Sequence, residues 1–336
     1  MAIYKIFPIK DTFLSSQYPT SNYGRDEILD ISTDSLSTNR ALVYFDNNEI
    51  NQLIETITGS YTSYLSLYLA NSSNIPQEYN IEIHSVSSSW IMGTGRSGDE
   101  PNPKNGASWN YSNPNTTSSL WLGGNYINYN ITQSFNYQDS KDINCDVTPI
   151  VNDWNTSTVY NNGFLIKHTD VNESSSNLIS TQFFSTDTHT IYPPSLDFYW
   201  NDVSYSSSIN VINNENFITT LYNNKNEFQE DSIYTFRLKN RDLYPARQFQ
   251  TSSLYLNNKI LPSSSYWALK DVKTEEIVFN YNDIGTKIGA DNNSNYFTVY
   301  MGGLQPERYY QILIKTIINN NTIIIDNPSN YFKIVR

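Results

Sequence analysis

Apolar and polar residues alternate along most of this chain. Between Ser63 and Asn71, Leu65, Leu67 and Leu69 share one face, while Ser66, Tyr68 and Ala70 take the other. Between Glu78 and Ser85, Tyr79, Ile81 and Ile83 oppose Asn80, Glu82 and His84. Leu196, Phe198 and Trp200 repeat the pattern, as do Tyr234, Phe236 and Leu238, then Phe297, Val299 and Met301, then Tyr310, Ile312 and Ile314. A period of two with one apolar face predicts strands half buried in a sandwich. Asn161–Gly163 reads as a turn into the strand from Phe164, and Asn319–Asn321 as a hairpin tip. One stretch breaks the period. Val147, Ile150, Val151 and Trp154 fall at i, i+3, i+4 and i+7 and predict a short helix over 147–154. Asp146 is placed to cap it, Pro149 is tolerable in its first turn, and Trp154 completes its buried stripe.

From Trp90 to Tyr129 neither period holds. Gly93, Gly95, Gly98, Pro101, Pro103, Gly106, Pro114, Gly123 and Gly124 imply a long structured excursion, of the kind that carries function in compact domains. A Ser/Asn-rich stretch from about Ser204 to Asn214 marks a change of domain. The predicted organisation is a β-sandwich over 1–203, a linker at 204–215 and a second β-sandwich over 216–336.

Composition agrees with an all-β chain. Of 336 residues only 16% are charged, 14% are aromatic and 27 are Tyr. The net charge is −12, from 33 acidic and 21 basic residues. That balance repels phosphate and argues against nucleic acid and membrane as partners. No apolar run reaches the roughly 20 residues needed to span a bilayer. The one cysteine, Cys145, permits no internal disulfide and is expected as a small buried residue.

Short motifs in a fixed order carry a family resemblance. They are DTFLSS from Asp11, SNYG ending at Gly24, RALVYFD from Arg40, LSLYLAN from Leu65 and W-x-x-GTG from Trp90. GASWNY from Gly106, DVT from Asp146, NNGFLIK from Asn161 and YPPSLDFYW ending at Trp200 complete them. Together they resemble a β-sandwich module of the DNRLRE type, similar to certain carbohydrate-binding modules. The resemblance implies a jelly-roll-like sandwich over residues 11–200 and a DVT helix before a buried Trp. In the second domain, Leu304, Pro306 and Tyr310 have the L-x-P-x-x-x-Y spacing of fibronectin type III-like and immunoglobulin-like sandwiches. There Tyr310 is expected to bond its hydroxyl back to the chain upstream.

Such modules usually work outside cells, yet the chain opens MAIYKIFPIKD with no signal-peptide core. The combination points to a bacteriophage virion component made in the host cytoplasm: a decoration, collar or tail-adaptor protein that contacts other virion proteins and copies of itself. The alternative is a glycan-binding module for attachment to a host or to surface polysaccharide. A polysaccharide-degrading enzyme is a third, weaker class.

Candidate contacts for a glycan or a partner are the excursion's aromatics, Trp109, Tyr111, Trp121, Tyr126 and Tyr129. Trp90 and Trp109 lie in motifs that read as core, whereas Trp121 fits an exposed platform and a buried position equally. The excursion is also expected to make the principal contacts with partner subunits. His84, His168 and His189 are dispersed and show no metal-ligand spacing. His84 falls on a polar face and is expected to be solvated. Ser97–Glu100 and Asp139–Asp142 could offer oxygens to Ca²⁺ but lack a dense D-x-D-x-D pattern, so no cofactor is expected. GTGRSG lacks the Lys-Ser/Thr ending of a phosphate loop, and no GxSxG occurs, so no catalytic residue is named.

Overall fold

The computed structural model describes residues 2–115, 120–175, 178–222, 224–245 and 258–336. The strands and helices of the first part are β1 (Ala2–Ile6), β2 (Lys10–Ser15), β3 (Ile28–Thr33), β4 (Thr38–Tyr44), α1 (Asn47–Thr56), β5 (Tyr61–Leu67), β6 (Leu69–Ser73), β7 (Glu78–Val86), β8 (Tyr126–Asn136), β9 (Ile143–Asp146), α2 (Thr148–Asn155), β10 (Phe164–His168), α3 (Asp170–Glu173), β11 (Ile179–Phe184) and β12 (Ser195–Trp200). The rest is β13 (Phe217–Tyr222), β14 (Glu227–Gln229), β15 (Ile233–Asp242), β16 (Ser265–Asp271), β17 (Ile277–Phe279), β18 (Gly289–Ala290), β19 (Asn295–Tyr300), β20 (Tyr309–Ile318) and β21 (Asn321–Val335). The all-β expectation holds. Asn319 and Asn320, both at positive φ, turn β20 into β21 as the sequence predicts.

The chain divides into two compact units. The larger comprises Ile6–Thr56 and Thr62–Asp197; the other comprises Met1–Lys5, Ile57–Tyr61 and Phe198–Arg336. In the larger unit an eight-stranded sheet runs β6-β11-β3-β4-β10-β7-β8, with β2 paired to β4. A smaller sheet is built on β9, β5 and the start of β12. Alternation explains the core. Ala41, Val43, Ile81, Ile83, Phe164 and Ile166 are fully buried on one face, as are Leu65 and Leu67 on the small sheet.

The predicted helix over 147–154 is present one residue later, as α2. Its N-cap position is Val147 rather than Asp146. Asp146 still serves it one step upstream, because its carboxylate accepts the Thr148 N–H at 3.0 Å. Trp154 is buried, donates to Ser85 Oγ at 2.9 Å and packs its ring 4.6 Å from that of Phe164. A second helix, α1, was not expected. It is Asn-rich and buries only Ile50 and Leu53, too few apolar positions to show a period.

In the other unit a four-stranded sheet, β13-β15-β19-β18, and a five-stranded sheet, β14-β21-β20-β16-β17, enclose one core. Its centre includes Phe236, Leu238, Trp267, Phe297, Tyr310 and Phe332. The Tyr310 hydroxyl donates to Gln305 O at 3.1 Å, five residues upstream. The 204–215 stretch is not a free linker. Ser206 N donates to Ala290 O and Ile212 N to Ile260 O, and the Ile212 side chain is buried in the same core. Ser and Asn composition marked surface turns there, not a break in packing.

Candidate functional site

The excursion folds down as a cover on the outer face of the eight-stranded sheet, and Asn22 holds it together. Its side-chain amide donates to Met92 O at 2.7 Å and Ala107 O at 2.9 Å, and its Oδ1 accepts from Gly95 N at 2.9 Å. Its backbone exchanges two bonds with the Asn102 side chain. The motif glycines follow from this crowding. A Cβ on Gly93 or Gly106 would stand 2.3–2.5 Å from Asn22 side-chain atoms, and one on Gly24 only 2.1 Å from Met92 O. SNYG, W-x-x-GTG and GASWNY are therefore one packing unit.

Beneath the cover lies a small second core of Leu14, Leu42, Val86, Trp90, Ala107, Trp121 and Leu165. This corrects the platform reading of Trp121, which is 5% exposed and donates to Ser108 O at 2.7 Å. The sequence left Trp121 open because its burial depends on strands distant in the chain. Trp109 is half-buried, with Gly123 against its ring and the Arg40 guanidinium 5.1 Å from the ring centre. Tyr111 and Tyr126 are half-buried, and Tyr129 is exposed. Tyr126 packs on the outer face against His84, at 4.3 Å, whereas Tyr129 lines a small cavity with Ile150 and Trp154. The five aromatics thus form no common platform. Residues 116–119 of the excursion lie outside the described residues.

Beyond the cover, the outer face of β7 and β8 forms the floor of a groove of about 900 Å³. Glu78 stands opposite Asn136, Asn80 opposite Ser134, and Glu82 opposite Thr132. Asp139 closes one side, and Thr169, Asp170, Val171 and Asn172 form the α3 wall. Tyr79 and Phe135 border it as well, but their rings stack on each other at 4.8 Å and both side chains are buried. Val171 apart, the exposed lining is consequently amide, hydroxyl and carboxylate, without an exposed ring.

An ion cluster fixes the α3 wall on the sheet. Lys167 is fully buried; its ammonium bonds Asp170 and His168 O and lies 3.5 Å from both Glu82 and Glu173. Arg40 grips Glu173 through two bonds of 2.9 and 2.7 Å and donates to Gly123 O, tying wall to cover. Burial works to lower the Lys167 pKa, but the Asp170 hydrogen bond and the Glu173 charge outweigh it and the value rises. The same hydrogen bond lowers the pKa of Asp170. His84 is 3% exposed rather than solvated, since Tyr126 covers it; burial lowers its pKa and keeps it neutral at pH 7. Sequence reasoning missed this groove because Glu82, Lys167 and Glu173 come from three separate segments.

Of the carboxylates once weighed for Ca²⁺, Asp99 accepts Arg96 N, Asp139 accepts Asn136 N and Asp142 accepts Leu69 N. Among the described residues no group of three or more His, Cys, Asp or Glu side chains could hold a metal ion.

Residues 2–122 match carbohydrate-binding module family 96. The match ends inside the excursion and takes in one floor strand of the groove, β7. It favours the glycan-binding alternative over the virion reading, on which it does not bear. No curated protein matches. Among solved structures, the chain is similar to the crystal structure of a DUF4785 family protein from Legionella pneumophila, with 8% identity and a TM-score of 0.17. That alignment covers all of this chain and 62% of the other.

Proposed function

We propose that the chain binds a glycan without cleaving it, and that the β7–β8 groove of the larger unit is the binding site. One observation carries the reading. The groove presents Asn80, Ser134, Asn136 and Asn172 on a rigid floor and wall, and their side chains make no hydrogen bond among the described residues. Amides and hydroxyls held open in this way can each donate to and accept from sugar hydroxyls. The groove is large enough for a short saccharide, within the usual range of ligand clefts. The similarity to a carbohydrate-binding family in the same unit supports it independently.

A glycan microarray followed by affinity electrophoresis tests this. A neutral glycan should retard the chain, and Asn80→Ala with Asn136→Ala should weaken retardation about tenfold or more, the effect of losing two buried polar contacts. Binding that survives the double substitution places the site elsewhere. Release of reducing sugar from a bound polymer would replace binding with catalysis.

A further inference from the structure

The eight-stranded sheet ends on β8, and that edge is bare. β7 pairs with one side of β8, and among the described residues no strand pairs with the other. Tyr137 N donates to Gln77 O at 2.8 Å, so that facing pair is a hydrogen-bonded one, and the register carries the same state to Phe135, Gln133 and Ile131. The N–H and C=O groups of Asn136, Ser134, Thr132 and Asn130 therefore point away from β7. Those of Asn136 are occupied, since Asp139 accepts its N–H at 3.0 Å and Lys141 donates to its carbonyl at 2.7 Å. Those of Asn130, Thr132 and Ser134 have no partner among the described residues.

Proteins guard such edges by brevity, a charge, a proline or a bulge. β8 is eleven residues long, YINYNITQSFN, with no charge, proline or glycine. The other edge strands among the described residues, β6, β13 and β17 among them, have six residues or fewer. The one register shift against β7 falls between His84 and Val86 and leaves 130–136 regular. The bland reading is an edge left to water. It accounts for the exposed polar side chains of Asn130, Thr132 and Ser134, but not for the length or the missing charge.

The free groups fit a second copy of themselves. About a two-fold axis at Thr132, Thr132 faces Thr132, and Asn130 faces Ser134 on both sides of the axis. Each facing pair exchanges two bonds, so every free N–H and C=O of these three residues is satisfied in both copies. A slip one way calls on Asn136, whose groups are occupied; a slip the other way sets Ser134 opposite Asn128, beyond the register shift. The Thr–Thr and Asn–Ser pairs lie on the outer face, where they can bond each other. On the inner face Ile131 meets Gln133, and Tyr129, 48% exposed, comes beside Phe135.

We propose that the chain forms a two-fold dimer through β8, which joins two eight-stranded sheets into one. Each copy offers one free side of β8, so the pairing closes at two. Facing residues of paired strands share a face, so both outer faces look the same way, and Asn130 of a second copy stands beside Ser134 on the groove floor. Resting on the groove as the glycan site, the dimer presents two such sites on one face, an arrangement that strengthens binding to a polymer with repeated sites.

Sedimentation equilibrium of the full chain from about 1 to 100 µM should show a monomer–dimer equilibrium and no larger species. Thr132→Lys sets two ammonium groups against each other across the axis. It should weaken the dimer at least about tenfold, and the thermal melt should be unchanged because Thr132 is exposed. Thr132→Glu should weaken it as well, and an equimolar mixture of the two variants should recover dimers. A parent chain still monomeric at about 100 µM overturns the proposal and leaves the edge to a strand of another protein. So does a Thr132→Lys variant that pairs as the parent does, or a mixture that recovers no dimer. Affinity electrophoresis keeps the two readings apart: a dimer that no glycan retards upholds the pairing and removes the glycan site, while a monomer that a glycan retards does the reverse.

Discussion

Asp11, which opens the first motif, is a carboxylate buried to 1% exposure. Burial pushes its pKa up to about 6, against the lowering pull of the Thr186 hydrogen bonds, one of which is its N–H at 2.7 Å from Asp11 Oδ2. The folded state therefore holds this proton more tightly than the unfolded chain, where the group titrates near its ordinary value of 3.8. The contribution to stability is fully present below about pH 4 and is lost as pH rises through about 6. A shift of about 2 units corresponds to about 3 kcal/mol at most. Asn keeps a carbonyl oxygen for the Thr186 N–H and carries no charge. Asp11→Asn should thus gain stability relative to the parent between pH 4 and pH 7.5, by up to about 3 kcal/mol. Urea denaturation at the two pH values measures it, and an equal difference at both would show that Asp11 does not titrate in this range. The motif made Asp11 visible in the sequence, but its depth depends on Thr186, a residue 175 positions away.

Among the elements, the strands were the most legible because their alternation records burial directly, as in Tyr79, Ile81 and Ile83. The stripe of α2 was legible for the same reason. The excursion was legible only as an excursion. Its glycines were visible, but Asn22, which explains three of them, reads in sequence as one more turn residue in SNYG. Trp121 and His84 were undecided or misplaced because each is covered by residues from another segment. The groove shares this difficulty, as its ion cluster joins β4, β7, β10 and α3. The weight on Asn22 can be measured. Asn22→Ala leaves Met92 O, Ala107 O and Gly95 N without their side-chain partner in a fully buried place. At about 1–3 kcal/mol for each orphaned group, the larger unit should lose about 3 kcal/mol or more. Amide exchange across 91–107 should speed up before that of β7 or β10. A variant with parental exchange and stability would show the cover to be held by its small core alone.

For the whole molecule, two properties read as averages leave a local arrangement out of view. A net charge of −12 argues against nucleic acid and membrane as partners, and within it one strand turns three cations outward together. The composition shift near Ser204 argued for a cut there, yet Met1–Lys5 and Ile57–Tyr61 cluster with the C-terminal part. Composition is local, whereas a core recruits any segment that fills it. Ile3 is buried among Leu261, Phe297 and Ile312, and Tyr4 and Trp200 both pack edge-on to Tyr300, with ring centres at 6.3 and 5.0 Å. A fragment starting at residue 204 therefore lacks a core isoleucine and a buried tryptophan, each worth about 1.5–3 kcal/mol of burial. One starting at Phe198 regains the tryptophan but not the isoleucine. Calorimetry should place the melt of 204–336 lowest, that of 198–336 higher, and the matching transition of the full chain highest. For units of this size each lost kcal/mol corresponds to several degrees. If 204–336 melts at the full-chain temperature, the N-terminal segment adds nothing to that core, and the boundary belongs where composition alone would have drawn it.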